Sequence, residues 1–106
     1  MNMYRVRITA KALSDMEAIY DYIALELLNP DAAMGQYNRI ADAIETLSEF
    51  PERFKVFDSR PERDIGMRQI VIDNYSAIYV IRGEDVVVLR VLYGASNIRK
   101  RLLEYR

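Results

Sequence analysis

The first fifty residues show two different hydrophobic periods in succession. Tyr4, Val6 and Ile8 alternate with polar residues, which predicts a strand with one buried face over residues 4–9. Thr9 can then cap a helix, because its hydroxyl can accept a hydrogen bond from the first turn. The apolar positions that follow lie three and four residues apart and form one helical stripe. They are Leu13, Met16, Ile19, Tyr20, Ile23 and Leu27. We interpret this stripe as core, with Asp15 largely away from it.

A second helix is predicted after the turn at Asn29-Pro30-Asp31. Asn29 is a good N-cap, Pro30 suits the first helical position, and Asp31 complements the helix dipole. Phe50-Pro51 ends this helix, because proline disfavours helical backbone in the residue before it. Its apolar positions are Ala33, Tyr37, Ile40, Ile44 and Leu47. Two amphipathic helices joined by so short a turn should form an antiparallel hairpin.

The second half of the chain reads as a loop followed by a sheet. Residues 52–65 are charged and irregular, with at most a short edge strand at residues 55–57. Three apolar runs separated by tight turns then predict an antiparallel meander. The runs are residues 67–72, 75–81 and 86–93. The first strand must join this sheet, the two helices should cover one face of it, and Ser96 can cap a short terminal helix. The pattern predicts an α+β fold.

The composition limits the chemistry that this chain can perform. Its 106 residues suit one domain over residues 1–106. There is no Cys and no His, so disulfides, thiolate chemistry, the usual zinc ligands and the usual neutral-pH proton shuttle are all missing. We therefore expect no cofactor and assign no catalytic residue. A carboxylate metal site needs neither Cys nor His, but no tight Asp/Glu cluster in the sequence suggests one. Since neither a signal peptide nor a membrane-spanning run is evident, we expect a cytoplasmic protein.

The charge is unevenly distributed along the chain. The net charge is −1, but residues 1–50 hold four cations against eight anions, and residues 51–106 hold eleven against eight. Twelve of the fifteen cations are Arg, whose planar fork suits carboxylates and phosphates. The C-terminal half is therefore predicted to carry the surface that binds a partner; the alternative is an ordinary mixed-charge surface.

Six residues form the candidate partner-binding set: Arg68, Arg90, Tyr93, Arg99, Lys100 and Arg101. Arg68 and Arg90 interrupt apolar strands, so we expect them to project from the sheet face that the helices leave uncovered. Alternatively, their stems pack at a sheet edge with the charged heads in water. Tyr93 is expected to be a core or rim aromatic. The basic run at 99–101 could instead complement a helix C-terminus.

Five segments, in this order, resemble the RelE/ParE toxin superfamily. They are residues 18–23 (AIYDYI), 29–33 (NPDAA), 47–53 (LSEFPER), 66–75 (GMRQIVIDNY) and 91–94 (VLYG). The similarity extends over residues 6–103. It implies a type II toxin, active in growth inhibition and plasmid stabilisation, that is neutralised by an antitoxin encoded beside it. It also implies an oligomer formed through that antitoxin.

The resemblance implies one of two targets. ParE-like members bind DNA gyrase and stall its cleaved complex, whereas RelE-like members cut mRNA in the ribosome. The chain departs from the nuclease pattern at Ser76, Ala95 and Ser96, where that pattern has cations. Its pI near 5.5 also suits RNA binding poorly. The departure at Ala95 and Ser96 also counts against gyrase, because many ParE-like members have Arg there, and it raises the alternative of a weakened toxin that mainly binds its antitoxin. Gyrase is the expected target, and ribosome-dependent mRNA cleavage is the other alternative.

Overall fold

A computed structural model describes residues 3–58, 60 and 62–94. Strand β1 (Arg5–Ile8) leads into helix α1 (Ala10–Asp21), which continues as a π-helical segment (Tyr22–Glu26). Helix α2 is Pro30–Glu45, and short 3₁₀ turns follow at Thr46–Ser48 and Pro51–Arg53. The later elements are α3 (Glu62–Ile65), β2 (Arg68–Ile72), β3 (Tyr75–Arg82) and β4 (Asp85–Tyr93).

The four strands form one open sheet in the order β1-β4-β3-β2. The last three strands are antiparallel, as the short turns predict. β1 pairs with β4 in parallel, with Arg5 opposite Asp85 and Ile8 opposite Val88. A parallel neighbour needs a long crossover connection, and the helix hairpin is part of it. The expected α+β fold, with the first strand added to the sheet formed by the last three, is confirmed.

Both predicted helix caps are present. The Thr9 hydroxyl accepts a hydrogen bond from the Ala12 N–H at 3.0 Å. The Asn29 carboxamide oxygen accepts one from the Ala32 N–H at 3.1 Å, and Pro30 occupies the first turn of α2. Each cap satisfies a backbone donor that has no partner within its own helix, so both helix starts could be read from the sequence.

The core lies between the helix hairpin and one face of the sheet. Ala12 and Met16 of α1 and Ile40 and Ile44 of α2 pack on this face, which confirms that both helices cover it. Their sheet partners are Ile70, Ile72, Ala77, Tyr79, Val86, Val88 and Val91. On the opposite face Ile78 and Leu92 form a smaller cluster with Phe57 and Met67.

The predicted apolar stripe of the first helix is wrong at both ends. Ala12, rather than Leu13, occupies the buried position of the first turn, and Leu13 is exposed. At the other end, the Leu27 N–H donates to the Tyr22 carbonyl five residues earlier, at 3.2 Å. This wide turn inserts an extra residue into the helical period. Leu27 therefore turns away from the core and is exposed.

The predicted loop contains more order than its sequence pattern suggested. Val56 forms an isolated bridge with Arg68, within the predicted edge strand, and Phe57 N–H donates to the Met67 carbonyl at 2.9 Å. This segment therefore lies along β2. In the described part of the chain, no helix has the length and apolarity needed to cross a membrane.

Candidate binding surfaces

Arg90 lies beside a β-bulge, where the pairing of β4 with β3 shifts register. Its Nε and Nη2 atoms donate to the two carboxylate oxygens of Asp15 on α1, at 2.7 and 3.0 Å. The side chains of Arg90 and Asp15 are 11% and 13% exposed. Arg90 lies opposite Ile78 of the smaller cluster, so it starts on the sheet face that the helices leave uncovered, as expected. The expectation that its head projects toward a partner is wrong, because the head is bonded to Asp15. Asp15, which is expected to lie largely away from the apolar stripe, faces the edge of β4.

The cause is the short length of β1. This strand pairs with β4 only as far as Val88, so the next part of the β4 edge is met by the start of α1. The Thr9 hydroxyl donates to the Leu89 carbonyl at 3.0 Å, and the Val91 N–H donates to Asp15 at 3.0 Å. The Asp15 carboxylate thus accepts hydrogen bonds from the Arg90 guanidinium and from a backbone N–H at the edge of β4. Strand ends set this arrangement, and they are poorly readable from a hydrophobic pattern.

Arg68 is also occupied within the chain. It lies opposite Tyr79, whose ring is in the main core, so Arg68 starts on the helix-covered face. Its Nη1 donates to the carbonyls of Glu52 and Phe54. The Tyr79 hydroxyl donates to the Pro51 carbonyl at 2.6 Å. Both side chains thus hold the segment after α2, and the expected projection of Arg68 from the uncovered face is wrong.

Tyr93, at the end of β4, remains an accessible candidate. It is 65% exposed, and its ring meets that of Tyr75 edge to face with centroids 5.5 Å apart. Aromatic rings with an apolar face and a polar tip are frequent in protein interfaces. Its binding role stays a prediction. Arg99, Lys100 and Arg101, with the predicted terminal helix, lie outside the described residues.

A surface that the sequence did not indicate lies along β1. β1 is an edge strand, so only one side of its backbone is bonded to the sheet. The N–H groups of Arg5 and Thr9 donate to the β4 side, so the backbone N–H and C=O groups of Val6 and Ile8 face away from the sheet. A groove of about 420 Å³ runs between β1 and α2. It is lined by Tyr4, Val6, Ile8, Ala41, Ile44, Glu45 and Ser48. Exposed Arg5 and Arg7 flank it, each within 3.2 Å of Asp85.

The helix hairpin forms a second exposed feature. A groove of about 500 Å³ runs between α1 and α2. It is lined by Glu17, Tyr20, Asp21, Met34, Tyr37 and Asn38. At the sheet end, Asp73 accepts hydrogen bonds from Arg39 (2.9 Å) and Gln36 (3.0 Å) of α2. The hydrogen bond from Arg39, and to a smaller extent the one from Gln36, lowers the pKa of Asp73 below its usual value. This contact ties the hairpin to the β2–β3 turn.

Three features of the described residues bear on metal binding and proton transfer. Among them, no group of three or more Asp or Glu could hold a metal ion. Burial raises the pKa of Tyr79 to about 12, so this hydroxyl stays protonated at neutral pH. Ser76, which stands where the nuclease pattern has a cation, is buried.

Comparison with known proteins agrees with this architecture. A sequence profile described as the ParE toxin of the type II toxin–antitoxin system parDE matches residues 6–98. Toxin ParE3 of Caulobacter vibrioides is 30% identical over 100 residues, which cover 94% of this chain and 96% of that protein. The structure of a chromosomal ParDE system from P. aeruginosa superposes with a TM-score of 0.71 at 25% identity, over 88% of this chain and 98% of that one. A chain of the RelBE2 toxin–antitoxin complex from Mycobacterium tuberculosis superposes with a TM-score of 0.59 at 26% identity, over 91% of this chain and 97% of that one. The chain thus belongs to the ParE toxin family of type II toxin–antitoxin systems.

Proposed function

We propose that this toxin inhibits growth by binding DNA gyrase and that a cognate antitoxin neutralises it by covering the toxin surface. Membership of the ParE family supports gyrase over the ribosome, because ParE-like members act on gyrase. A toxin that acts on gyrase works where chromosomal DNA is handled, which places it in the cytoplasm. On this proposal the protein is a binding inhibitor, and it performs no bond cleavage itself.

The main support for a binding function is that both arginines of the sheet, Arg68 and Arg90, are already hydrogen-bonded within the chain. RNA cleavage through the 2′-hydroxyl needs a base, an acid and cations on the phosphate. Arg68 and Arg90, which could have supplied the cations, are bound to Glu52 and Phe54 carbonyls and to Asp15. The chain has no His to move protons at neutral pH. These observations favour binding, and they weaken the ribosome-dependent nuclease alternative.

The target can be tested with purified components. Toxin added to gyrase, ATP and relaxed plasmid should block supercoiling and accumulate linear DNA from stalled cleaved complexes. Translating ribosomes given the same toxin should leave their mRNA intact.

A type I topoisomerase acting on the same plasmid is the matched control, and it should be unaffected. Codon-phased cuts in the mRNA, combined with normal supercoiling, would contradict the gyrase proposal and establish the nuclease alternative.

For the antitoxin, we propose that an extended segment docks along β1. The outward backbone groups of Val6 and Ile8 can pair with an added strand, and the adjacent groove can take apolar side chains. Arg5 and Arg7 would attract acidic residues in that segment, although both already contact Asp85. This location differs from the predicted set at Arg68 and Arg90, because those heads are occupied.

Replacing Ile8 with Pro should weaken antitoxin binding about tenfold while the toxin stays active. Proline removes the outward N–H of an added strand pair, and one backbone hydrogen bond contributes roughly 0.5–1.5 kcal/mol. About 1.4 kcal/mol corresponds to tenfold in affinity. Calorimetric titration with the product of the neighbouring short reading frame measures this change.

Ile8→Val is the matched control, because it keeps the N–H and most of the side chain. Its affinity should stay within about twofold of the wild-type value, since exposed aliphatic exchanges are nearly neutral. Equal affinity of Ile8→Pro and Ile8→Val for the antitoxin would contradict the proposal that the antitoxin docks along β1.

A further inference from the structure

The closed end of the helix hairpin exposes several large apolar side chains. We define the hairpin tip as Tyr22, Leu25, Leu27, Leu28 and Met34, all of which are exposed. Leu25 is 69% exposed and Leu28 is 82% exposed. Single exposed leucines are ordinary, but a group this dense within thirteen residues marks an interaction site in a small protein.

The backbone of the tip is held in two unusual conformations. The π-helical segment is a rare geometry, and such turns are frequent at functional sites. Leu28 has a φ of +53°, a left-handed conformation that non-glycine residues rarely adopt. The π-helical segment and the left-handed Leu28 together present leucine side chains to solvent. A regular helix ending in glycine would connect the two helices with less backbone strain.

The sequence on both sides of the tip carries charge of a single sign. No Lys or Arg occurs between Lys11 and Arg39, and this stretch contains five carboxylates. One of them, Asp15, is paired with Arg90. The remaining four, Glu17, Asp21, Glu26 and Asp31, flank the apolar residues in sequence. A partner must therefore bring apolar surface together with positive charge.

We propose that the hairpin tip is the surface that contacts the target protein, and that it fits an apolar depression rimmed by Lys and Arg. This inference rests on the proposed function and names the part of the toxin that performs it. The tip and the β1 groove share no residues, so an antitoxin that docks on β1 must cover the tip with a further part of its chain.

The charge argues against other occupants. Nucleic acid would be repelled by the four carboxylates. Two copies meeting tip to tip would place like charges against each other, because a two-fold contact uses the same patch on both. Enzymes that handle DNA carry basic surfaces, so gyrase supplies the complementary charge.

The test is the binding of the toxin to immobilised purified gyrase. The double variant Leu25→Gln, Leu28→Asn should bind at least about tenfold more weakly than wild type. Asn tolerates left-handed backbone, so this variant should keep its fold and its thermal midpoint. Val71→Thr is the control, because Val71 is also an exposed apolar residue (59%) but faces the sheet side away from the helices, between the core residues Ile70 and Ile72; it should bind normally.

The charge is tested separately, with a second variant that keeps the leucines. Asp21→Asn with Glu26→Gln should weaken binding at least threefold at low salt and reduce its dependence on salt. Asp42→Asn with Glu49→Gln is the charge-matched control and should leave both unchanged.

Four outcomes can be told apart. Wild-type toxin that fails to bind gyrase overturns the proposed target, and the tip assignment with it. Wild type that binds, with both tip variants binding equally well, overturns the tip alone. A wild type that self-associates, and loses this association in the leucine variant, assigns the patch to a second copy instead. Weaker gyrase binding by both tip variants, with normal controls, establishes the proposal.

Discussion

The Asp15→Ala variant should lose about 3–5 kcal/mol of unfolding free energy, as expected when one partner of a buried ion pair is removed. Asp15 accepts two bonds from Arg90 and one from the Val91 N–H, and its side chain is 13% exposed. Alanine removes all three acceptor contacts at once, at the bulge where α1 seals the β4 edge. Urea unfolding followed by circular dichroism measures the change.

Two further variants separate charge from hydrogen bonding. Asp15→Asn keeps an acceptor for the Val91 N–H and should cost less than alanine. Arg90→Met combined with Asp15→Ala should recover part of the loss, because an apolar pair needs no compensation for buried charge. A loss below about 1 kcal/mol for Asp15→Ala would mean that the pair behaves like an exposed one.

This result also affects any toxicity assay of Arg90. A loss of activity in Arg90→Ala would ordinarily suggest a binding residue. Because the guanidinium is bonded to α1, the same loss follows from a shifted or less stable helix hairpin. The binding role of Arg90 therefore has to be judged at a temperature where the variant is fully folded.

The second large effect is expected at Tyr79, the largest fully buried side chain described. Tyr79→Ala should cost about 4 kcal/mol, the usual range for a buried aromatic replaced by alanine. The variant loses core packing and also the bond to the Pro51 carbonyl, which holds the segment after α2. Thermal and urea unfolding should agree on this loss.

Tyr79→Phe isolates the hydroxyl, and it should cost about 1 kcal/mol at neutral pH. It should also change the pH dependence. Burial raises the folded-state pKa of Tyr79 to about 12, whereas a tyrosine in an unfolded chain titrates near 10. The stabilisation is complete below about pH 10 and is lost as the pH rises toward 12.

The wild-type protein should therefore lose more stability than Tyr79→Phe over this range, by at most roughly 3 kcal/mol. Tyr4 and Tyr75 also have raised pKa values, but they remain in both proteins and so cancel in the comparison. The structure indicates that the Tyr79 hydroxyl is shielded from solvent; identical pH profiles of the two proteins would contradict this.

The sequence by itself determined the two long helices, the four strands and their layering. Local signals were enough for this: the alternation at Val6 and Ile8, the caps at Thr9 and Asn29, and the tight turns between the last strands. Each signal acts within a few residues, so it can be read without knowing the fold. The ordered motifs also indicated the toxin superfamily, which the family match confirms.

Tertiary structure decided where the individual side chains of the candidate site went. Arg68 and Arg90 looked like projecting cations, because an apolar strand does not reveal which carbonyls or carboxylates lie across from it. Their partners at Glu52, Phe54 and Asp15 are 14 to 75 residues away in the chain. The exposed hairpin tip likewise depends on one wide helical turn after Asp21, which moves Leu27 off the buried stripe. Contacts over such distances depend on strand ends, a bulge and helix registers acting together, and no local pattern encodes them.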